Sequence, residues 1–404
     1  MHPDDVRAPH RTVTAQPVAV VLVGGRGFGR IHRANLRRLT GQGQVQVVGV
    51  CDQSPLDAQE LDGLGPFASI SQSTDLKTLL ERTRPSVTII STPLHTHVPL
   101  ALTAVRAGSH VLLEKPPASS LAGFQQLADE LHRSGRVCQV GFQSFGSAAV
   151  ASVRQLTADG SIGRPVGIGA AGAWVREARY YARSPWAGRR RVAAGPGAQD
   201  MVDVVDGVLT NPLAHALATA LRVDGNDRQD DVATVELELY RAHDIEADDT
   251  SCVRVTSTHD TTITLAATLC AEQNAAPYIV VHGEQGRITL HYTEDRVLLE
   301  RRGQAPQEYE HPRTDLLENL IAHLRDGDEL LSPLERSGAF TRVLETVRTA
   351  PEPVRLPPGV WHPLGEGAEQ RRVIPGIDAL TASSAGRLAL FSELDAPWAK
   401  ATEG

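Results

Sequence analysis

Lys115 lies between Glu114 and the pair Pro116-Pro117, directly after the apolar run His110-Val111-Leu112-Leu113. This pattern puts a cation at the carboxyl end of a sheet strand, where open α/β folds bind their ligands. A partly desolvated lysine can release its proton, whereas arginine carries the same charge without that option. The chain uses lysine sparingly: Lys77, Lys115 and Lys400 are the three among 40 basic residues. Where charge alone is needed arginine serves, so Lys115 reads as a position that needs an exchangeable proton. Lys77 falls on a helix-like stretch and reads as solvated, and Lys400 falls at the frayed end.

A second centre lies upstream. The strand-like run Val18–Val23 leads into Gly24-Gly25-Arg26-Gly27-Phe28-Gly29, and Arg30–Leu39 then has helical spacing. A glycine-rich turn at such a junction lets backbone N–H groups and a helix N-terminus face a pyrophosphate. On a GxGxxG frame that starts at Gly24 and ends at Gly29, Arg26 replaces the second glycine and Gly27 comes one place later. Asp52 follows 23 residues after Gly29, at the end of the second strand, near the spacing at which a carboxylate accepts from the adenine ribose. That order of elements predicts a dinucleotide site. The carboxylate favours NAD over NADP, while Arg26 leaves NADP open because a guanidinium can accept the 2′-phosphate. A solvated turn acid is the other reading of Asp52.

These centres need a scaffold. Over residues 17–143, strand candidates Val18–Val23, Val45–Cys51, Val87–Ser91, His110–Leu113 and Val137–Gly141 alternate with helix candidates Arg30–Leu39, Leu76–Thr83, Val98–Ala107 and Leu121–Ser134. This predicts a doubly wound parallel sheet. Over residues 144–350 one helix-like segment, Ala148–Thr157, precedes a string of strands: Pro165–Trp174, Ala233–Tyr240, Cys252–Thr258, Thr261–Leu269, Tyr278–Gly283, Arg287–Tyr292 and Arg296–Glu300. Their short connections imply an open, mainly antiparallel sheet, closed by helices near Thr314–Arg325 and Pro333–Thr349. The expected class is therefore α/β with an added α+β domain. Residues 1–16 read as a disordered leader, and residues 351–404 as a proline-rich linker and tail with a short helix near Ile377–Leu390.

Composition narrows the function. The net charge of -8, spread along the chain, argues against nucleic-acid or membrane-surface binding, which needs basic patches. Apolar runs stop far short of the roughly 20 residues of a membrane helix. Four scattered cysteines, Cys51, Cys138, Cys252 and Cys270, without a CxxC pair, fit a reduced, cytoplasmic protein. His95 and His97 form an HxH pair, but no further ligands complete a metal set. Asp200, Asp203 and Asp206 recur every three residues and read as a solvated helix face.

The sequence resembles the Gfo/Idh/MocA family of nicotinamide-dependent sugar and cyclitol oxidoreductases over most of residues 17–351. The resemblance is carried by Gly29-Arg30-Ile31-His32, Thr92-Pro93 with His97, Glu114-Lys115-Pro116, and Gly160-Ser161-Ile162-Gly163-Arg164-Pro165. It implies a Rossmann domain, a substrate domain, and catalysis at their junction, with Thr92, Pro93, His97, Glu114 and Lys115 near the cofactor. The family usually places an Asp and a His four residues apart in the second domain; here Asn211 and His215 occupy those places. An amide cannot act as a base, though it can hydrogen-bond a substrate hydroxyl.

The expected reaction is hydride transfer between NAD and a carbinol carbon of a sugar, cyclitol or related polyol, with His215 moving the hydroxyl proton and Lys115 stabilising the oxygen, or the two exchanging roles. Gln143 is a further substrate-site candidate. The segment 174–191 carries Arg176, Arg179, Arg183, Arg189, Arg190 and Arg191 beside Tyr180, Tyr181 and Trp186, with Glu177 as its one acid. It is either a solvated loop or a substrate arm, and in the second case the substrate is anionic. An NAD-recycling hydrolase or lyase of the same fold and a non-catalytic dinucleotide-binding regulator are the alternatives. An uncovered second sheet would call for a homo-oligomer, dimer or tetramer. Capping that sheet, reaching a neighbour and covering the site are the roles open to the tail.

Overall fold

The computed structural model describes residues 16–195 and 198–399; of the leader, only Gln16 falls among them. The first sheet contains β1 (Val18–Val23), β2 (Val45–Cys51), β3 (Ser71–Ser73), β4 (Val87–Ile90), β5 (His110–Leu113) and β6 (Cys138–Val140), all parallel, in the order β3-β2-β1-β4-β5-β6. This is the doubly wound order, whose switch point lies between β1 and β4. Residues 20–23 of β1 and all of β4 are buried on both faces, as a parallel sheet under two helix layers requires. β3 escaped the sequence reading because Ser-Gln-Ser at a sheet edge has neither apolar alternation nor β-branched residues.

Helices α1 (Gly29–Gly41), α2 (Ala58–Leu61), α3 (Leu76–Thr83), α4 (His97–Arg106) and α5 (Leu121–Ser134) connect these strands. α6 (Ala148–Ala158), α7 (Ala178–Ala182) and α8 (Ala214–Asp224) belong to the second half of the chain, and two helices follow its sheet, α9 (Leu316–Asp326) and α10 (Gly338–Thr349). α9 does not close the second sheet as its place in the sequence suggests. Leu316, Leu317, Leu320 and Ile321 pack against Val20, Leu22, Leu36 and Leu112 of the first domain. Gln139 bonds the carbonyl of Leu316 and the side chain of Asn319, at 3.1 and 2.6 Å. Helical periodicity marks an apolar face without saying which sheet it covers.

The second sheet is built from β7 (Pro165–Val175), β10 (Val232–Arg241), β11 (Thr250–Ser257), β12 (Thr262–Thr268), β13 (Cys270–Gly283), β14 (Gly286–His291), β15 (Arg296–Arg301), β16 (Gln307–Glu310) and β17 (Val354–Arg355). Their order is β16-β15-β14-β13-β7-β12-β11-β10-β17, antiparallel except for the β7–β12 and β10–β17 pairs. A hairpin of β8 (Arg191–Ala193) and β9 (Met201–Asp203) lies outside it. β13 begins eight residues earlier than its sequence pattern suggests, because register shifts around Ala275 carry the non-alternating stretch before Pro277. One continuous core runs from Val21 and Ile90 through Phe142 to Leu213, Leu265 and Phe340, joining the two halves.

The tail caps the second sheet. A small hairpin of β18 (His362–Leu364) and β19 (Arg371–Val373) leads to α11 (Ile377–Arg387), which lies across β7, β12 and β13. The sheet face that called for an oligomer is therefore covered by the chain itself.

Candidate active site

At the dinucleotide end the turn after β1 needs glycine at two places. Gly24 has φ +81°, and a Cβ there would lie 2.3 Å from the carbonyl oxygen of Ser91; a Cβ on Gly29 would lie 1.9 Å from that of Gly24. The N–H of Gly25 donates to Asp52 Oδ2 at 2.8 Å. Arg26 turns out of the cradle, donating to Glu60 at 3.1 and 2.8 Å and to Ser54 Oγ at 2.8 Å, with Asp52 at 3.4 Å. Gly27 (φ +58°) leads to Phe28, 52% exposed at the mouth of the turn. A turn that admits no Cβ at Gly24 or Gly29, leading into the N-terminus of α1 beside an acid at the end of β2, fits a bound dinucleotide. Asp52→Ala is expected to cut the preference for NAD over NADP by about 10–100-fold, the worth of a charge-assisted hydrogen bond, as read by kcat/KM for each cofactor; an unchanged ratio would remove Asp52 from the ribose site.

The cradle is coupled to the loops above it. His32 Nε2 and Glu114 Oε1 are 2.8 Å apart, and Glu114 Oε2 accepts from the N–H of Lys115 at 3.2 Å. Gln143 leans on Glu114 at 3.4 Å. Thr92 and Pro93 open the turn into α4, where His97 is buried with Nε2 2.8 Å from the carbonyl oxygen of Thr92 and Nδ1 2.7 Å from that of Pro116. His97 thus clamps the loops after β4 and β5 together. Burial pulls its pKa below the ordinary value, against the two carbonyls that favour a charged ring.

Lys115 reaches across to the second domain. Its Nζ donates to the backbone and side-chain oxygens of Asn211, both at 2.9 Å. Asn211 Nδ2 donates to Asp206 Oδ1 at 2.5 Å, Asp206 Oδ2 accepts from the N–H of Gly188 at 2.7 Å, and Tyr180 Oη lies 3.4 Å from Oδ1. Burial lowers the Lys115 pKa; Glu114 and Asp206 oppose this, and Arg176 and Arg183 add to it. His215, on the first turn of α8, meets the Phe142 ring edge to face at 5.6 Å. Burial, then Lys115 and Arg313, bring its pKa down to about 3, so the imidazole is neutral at working pH.

Residues 18–142 match the oxidoreductase family described as having an NAD-binding Rossmann fold, Gfo/Idh/MocA. The dinucleotide-binding domain belongs to the Gfo/Idh/MocA family. Inositol 2-dehydrogenase of Rubrobacter xylanophilus is 29% identical over 154 residues, which is 38% of this chain and 43% of that protein. Glycosyl hydrolase family 109 protein 2 of Akkermansia muciniphila is 29% identical over 130 residues, 30% of this chain and 26% of that protein. The aligned stretch thus spans less than half of these relatives' length. The WlbA dehydrogenase of Bordetella pertussis, solved with NADH and UDP-GlcNAcA, superposes with a TM-score of 0.65 at 20% identity, over 82% of this chain and 95% of its own. At that identity the likeness is one of fold.

Position 211, where the resemblance implies an Asp, carries Asn, and Asp206 explains the change. An Asp at 211 would set two carboxylates 2.5 Å apart, and one would have to keep a proton. The acid behind Lys115 is instead supplied from position 206 through an amide. The expected helix face at Asp200, Asp203 and Asp206 does not exist: Asp203 ends β9 and pairs with Arg191 and Arg348, while Asp206 is buried, 6% exposed. A three-residue spacing mimics a helix, and no local signal shows that Asp206 and Asn211 face one another. Tyr180 was missed as a site residue for the same reason.

The arm over residues 174–191 is largely tied down by acids and carbonyls from elsewhere. Arg179 pairs with Glu177, Arg189 with Glu246 and Arg191 with Asp203, and Arg190 donates to carbonyls at the end of α10. Arg176 and Arg183 have no carboxylate partner among the described residues. They stack on the arm's aromatic rings: Arg176 lies 4.4 Å from the Tyr180 ring, and Arg183 lies 3.8 Å from Tyr180 and 4.9 Å from Trp186. Trp186 therefore ends a stacked ladder.

Of the HxH pair, His97 is used as a clamp, and His95 Nδ1 has no hydrogen-bond partner among the described residues. Among the described residues His243, Asp249 and Cys270 are close enough to hold an ion. However, His243 Nε2 accepts from the N–H of Arg372 at 3.3 Å, so its Nδ1 carries the proton and donates to Asp249 at 2.8 Å. That arrangement is a hydrogen-bonded brace.

Proposed function

We propose that the protein is an NAD-dependent dehydrogenase acting on a CH–OH group of a sugar, cyclitol or related polyol. The observation that carries this reading is the Lys115 ammonium, held by Asn211 with Asp206 behind it, at the carboxyl end of β5 beside the glycine cradle and within electrostatic reach of His215. When bound, the cofactor takes or returns the hydride. The cradle from Gly24 to Gly29 and Asp52 would hold its pyrophosphate and ribose. Oxidation breaks the substrate C–H and O–H bonds, the proton leaving to a protein base and the carbonyl forming on the same carbon.

The assignment of that proton reverses the first choice read from the sequence. A ring whose conjugate acid has a pKa of about 3 is a weak base at neutral pH. Lys115, whose charged form is disfavoured by burial, is the stronger base once deprotonated. Neutral Lys115 takes the hydroxyl proton, and as an ammonium it returns the proton in the reverse direction. His215 hydrogen-bonds and orients the substrate, as does Gln143 from the Glu114 side.

Arg176 and Arg183 extend the proposal to an anionic substrate, since two unpaired guanidinium groups beside Lys115 leave the pocket positive. Substituting both by Met is expected to raise KM for a uronate or sugar phosphate about 10–100-fold, the range for charge-assisted hydrogen bonds. The neutral sugar's KM stays nearly constant. Equal effects on both substrates would leave the arm as scaffold.

Net growth of the NADH absorbance with a panel of polyols and their uronates tests the main reading. Product without net NADH would favour the NAD-recycling hydrolase or lyase. The Akkermansia relative supports that arm, because it is named a glycosyl hydrolase while the Rubrobacter relative is named a dehydrogenase. Binding of NAD without turnover on any member of the panel would favour a regulator.

A further inference from the structure

The second sheet has two unlike faces. Its inner face sends Ile279, Val281, Ile288 and Leu290 into the shared core. Its outer face over β7, β11, β12 and β13 is apolar or bare, with Gly167, Gly169, Ala171, Cys252, Ala266 and Val280, and the tail lies on it. A Cβ on Gly169 would be 1.9 Å from the carbonyl oxygen of Ala385, and one on Gly167 would be 2.4 Å from Leu388. Those strand positions admit α11 only as glycine.

The cover is anchored along its length. His282 Nε2 lies 2.9 Å from the carbonyl oxygen of Ala385, and the Glu238 carboxylate accepts from the N–H groups of Phe391 and Ser392 at 2.8 and 3.2 Å. Arg254 joins Glu236 on the sheet to Glu393 on the tail. Phe391 is fully buried, and Trp398 meets the Tyr240 ring at 4.9 Å. Beyond the tail the outer surface of β14, β15 and β16 carries ion pairs, Arg287 with Glu300 and Arg296 with Glu294 and Glu308. No comparable apolar patch continues there among the described residues.

The tail also reaches the substrate arm. The N–H of Ala178 donates to the carbonyl of Gln370 at 2.8 Å, and the His243 ring that accepts from Arg372 packs 5.1 Å from Tyr181. The superposed WlbA fold accounts for 95% of its own chain but 82% of this one. The remainder, about a fifth of this chain, lies outside that superposition. We infer that the C-terminal extension takes, within one chain, the place that a second copy would fill on an uncovered sheet, so that the protein works as a monomer. This replaces the homo-oligomer expected from an open face.

Light scattering of the full chain over a ~100-fold concentration range, the span in which association by mass action would appear, is expected to give a constant mass near 43.4 kDa. A dimer overturns the inference. A chain ended after Pro357 keeps α10 and β17 and loses α11; it is expected to associate in a concentration-dependent way. If it folds and stays monomeric, the inference fails. If it does not fold, hydrogen exchange on the full chain decides: protection at Ile279–Val281 and Ala385–Phe391 that does not depend on concentration supports a cover in cis, and protection that grows with concentration overturns it.

Discussion

Lys115→Arg is expected to lower turnover by about 10²–10⁴-fold, the usual contribution of a positioned acid or base, while NAD affinity stays nearly constant. The substitution keeps the charge and removes the exchangeable proton. Nζ meets the backbone and side-chain oxygens of Asn211 at 2.9 Å each, acceptors that a guanidinium can also address. Lys115→Met is the control, because it removes charge and proton together. If charge alone mattered, Arg would retain most of the activity and Met would not. NAD affinity is read by calorimetry and turnover by NADH absorbance; an Arg variant that turns over at the wild-type rate removes the assignment. The wild-type pH profile adds a sign. Burial lowers the Lys115 pKa below 10.5, so the rate of oxidation rises with pH through a limb below that value. In Lys115→Met the limb is absent.

The readable parts of this protein were those whose signal is local. The glycine turn, Asp52 and the Glu114-Lys115-Pro116 element each combine a strand end with a residue type that only one backbone or chemical setting needs, and each stands where its neighbours in sequence predicted. The strands of both sheets were legible for the same reason, with β3 lost to its polarity and the start of β13 to its bulges. Contacts between distant segments were not legible. Nothing near Leu316 says that α9 covers the first sheet, and nothing near Ala385 says that α11 lies on glycines more than 200 residues earlier. The site shows the same division. Lys115 and His215 stand where local pattern and family resemblance put them, whereas Asp206 was assigned to solvent because a three-residue spacing resembles a helix face. The six arginines of the arm looked unopposed because their partners, Glu246, Asp203 and the end of α10, come from other elements.

Asp206→Asn is the substitution that separates the Lys115–Asn211–Asp206 chain from a merely structural contact. Asp206 is buried and raises the Lys115 pKa against the lowering effect of burial. Removing its charge leaves the ammonium with Glu114 as the remaining named acid, so Lys115 loses its proton at lower pH than in the wild type. The limb of the oxidation profile is therefore expected to move towards acid. The plateau should fall by about 10–100-fold, because a more acidic ammonium is a weaker base in its neutral form and because Asn211 loses a charged acceptor. Losing a buried hydrogen bond to a charged acceptor also costs about 1.5–3 kcal/mol of stability, visible as a lower Tm, because Gly188 N–H loses its carboxylate partner. A structural role alone would lower Tm and leave the limb in place. Asn211→Asp supplies the opposite test: it restores the family's acid but sets it 2.5 Å from Asp206, so one of the two carboxylates stays protonated near neutral pH and the pair carries one charge. Its limb should then lie close to the wild-type position, and a shift towards acid as large as that of Asp206→Asn would show that the charge behind Lys115 does not set its proton affinity.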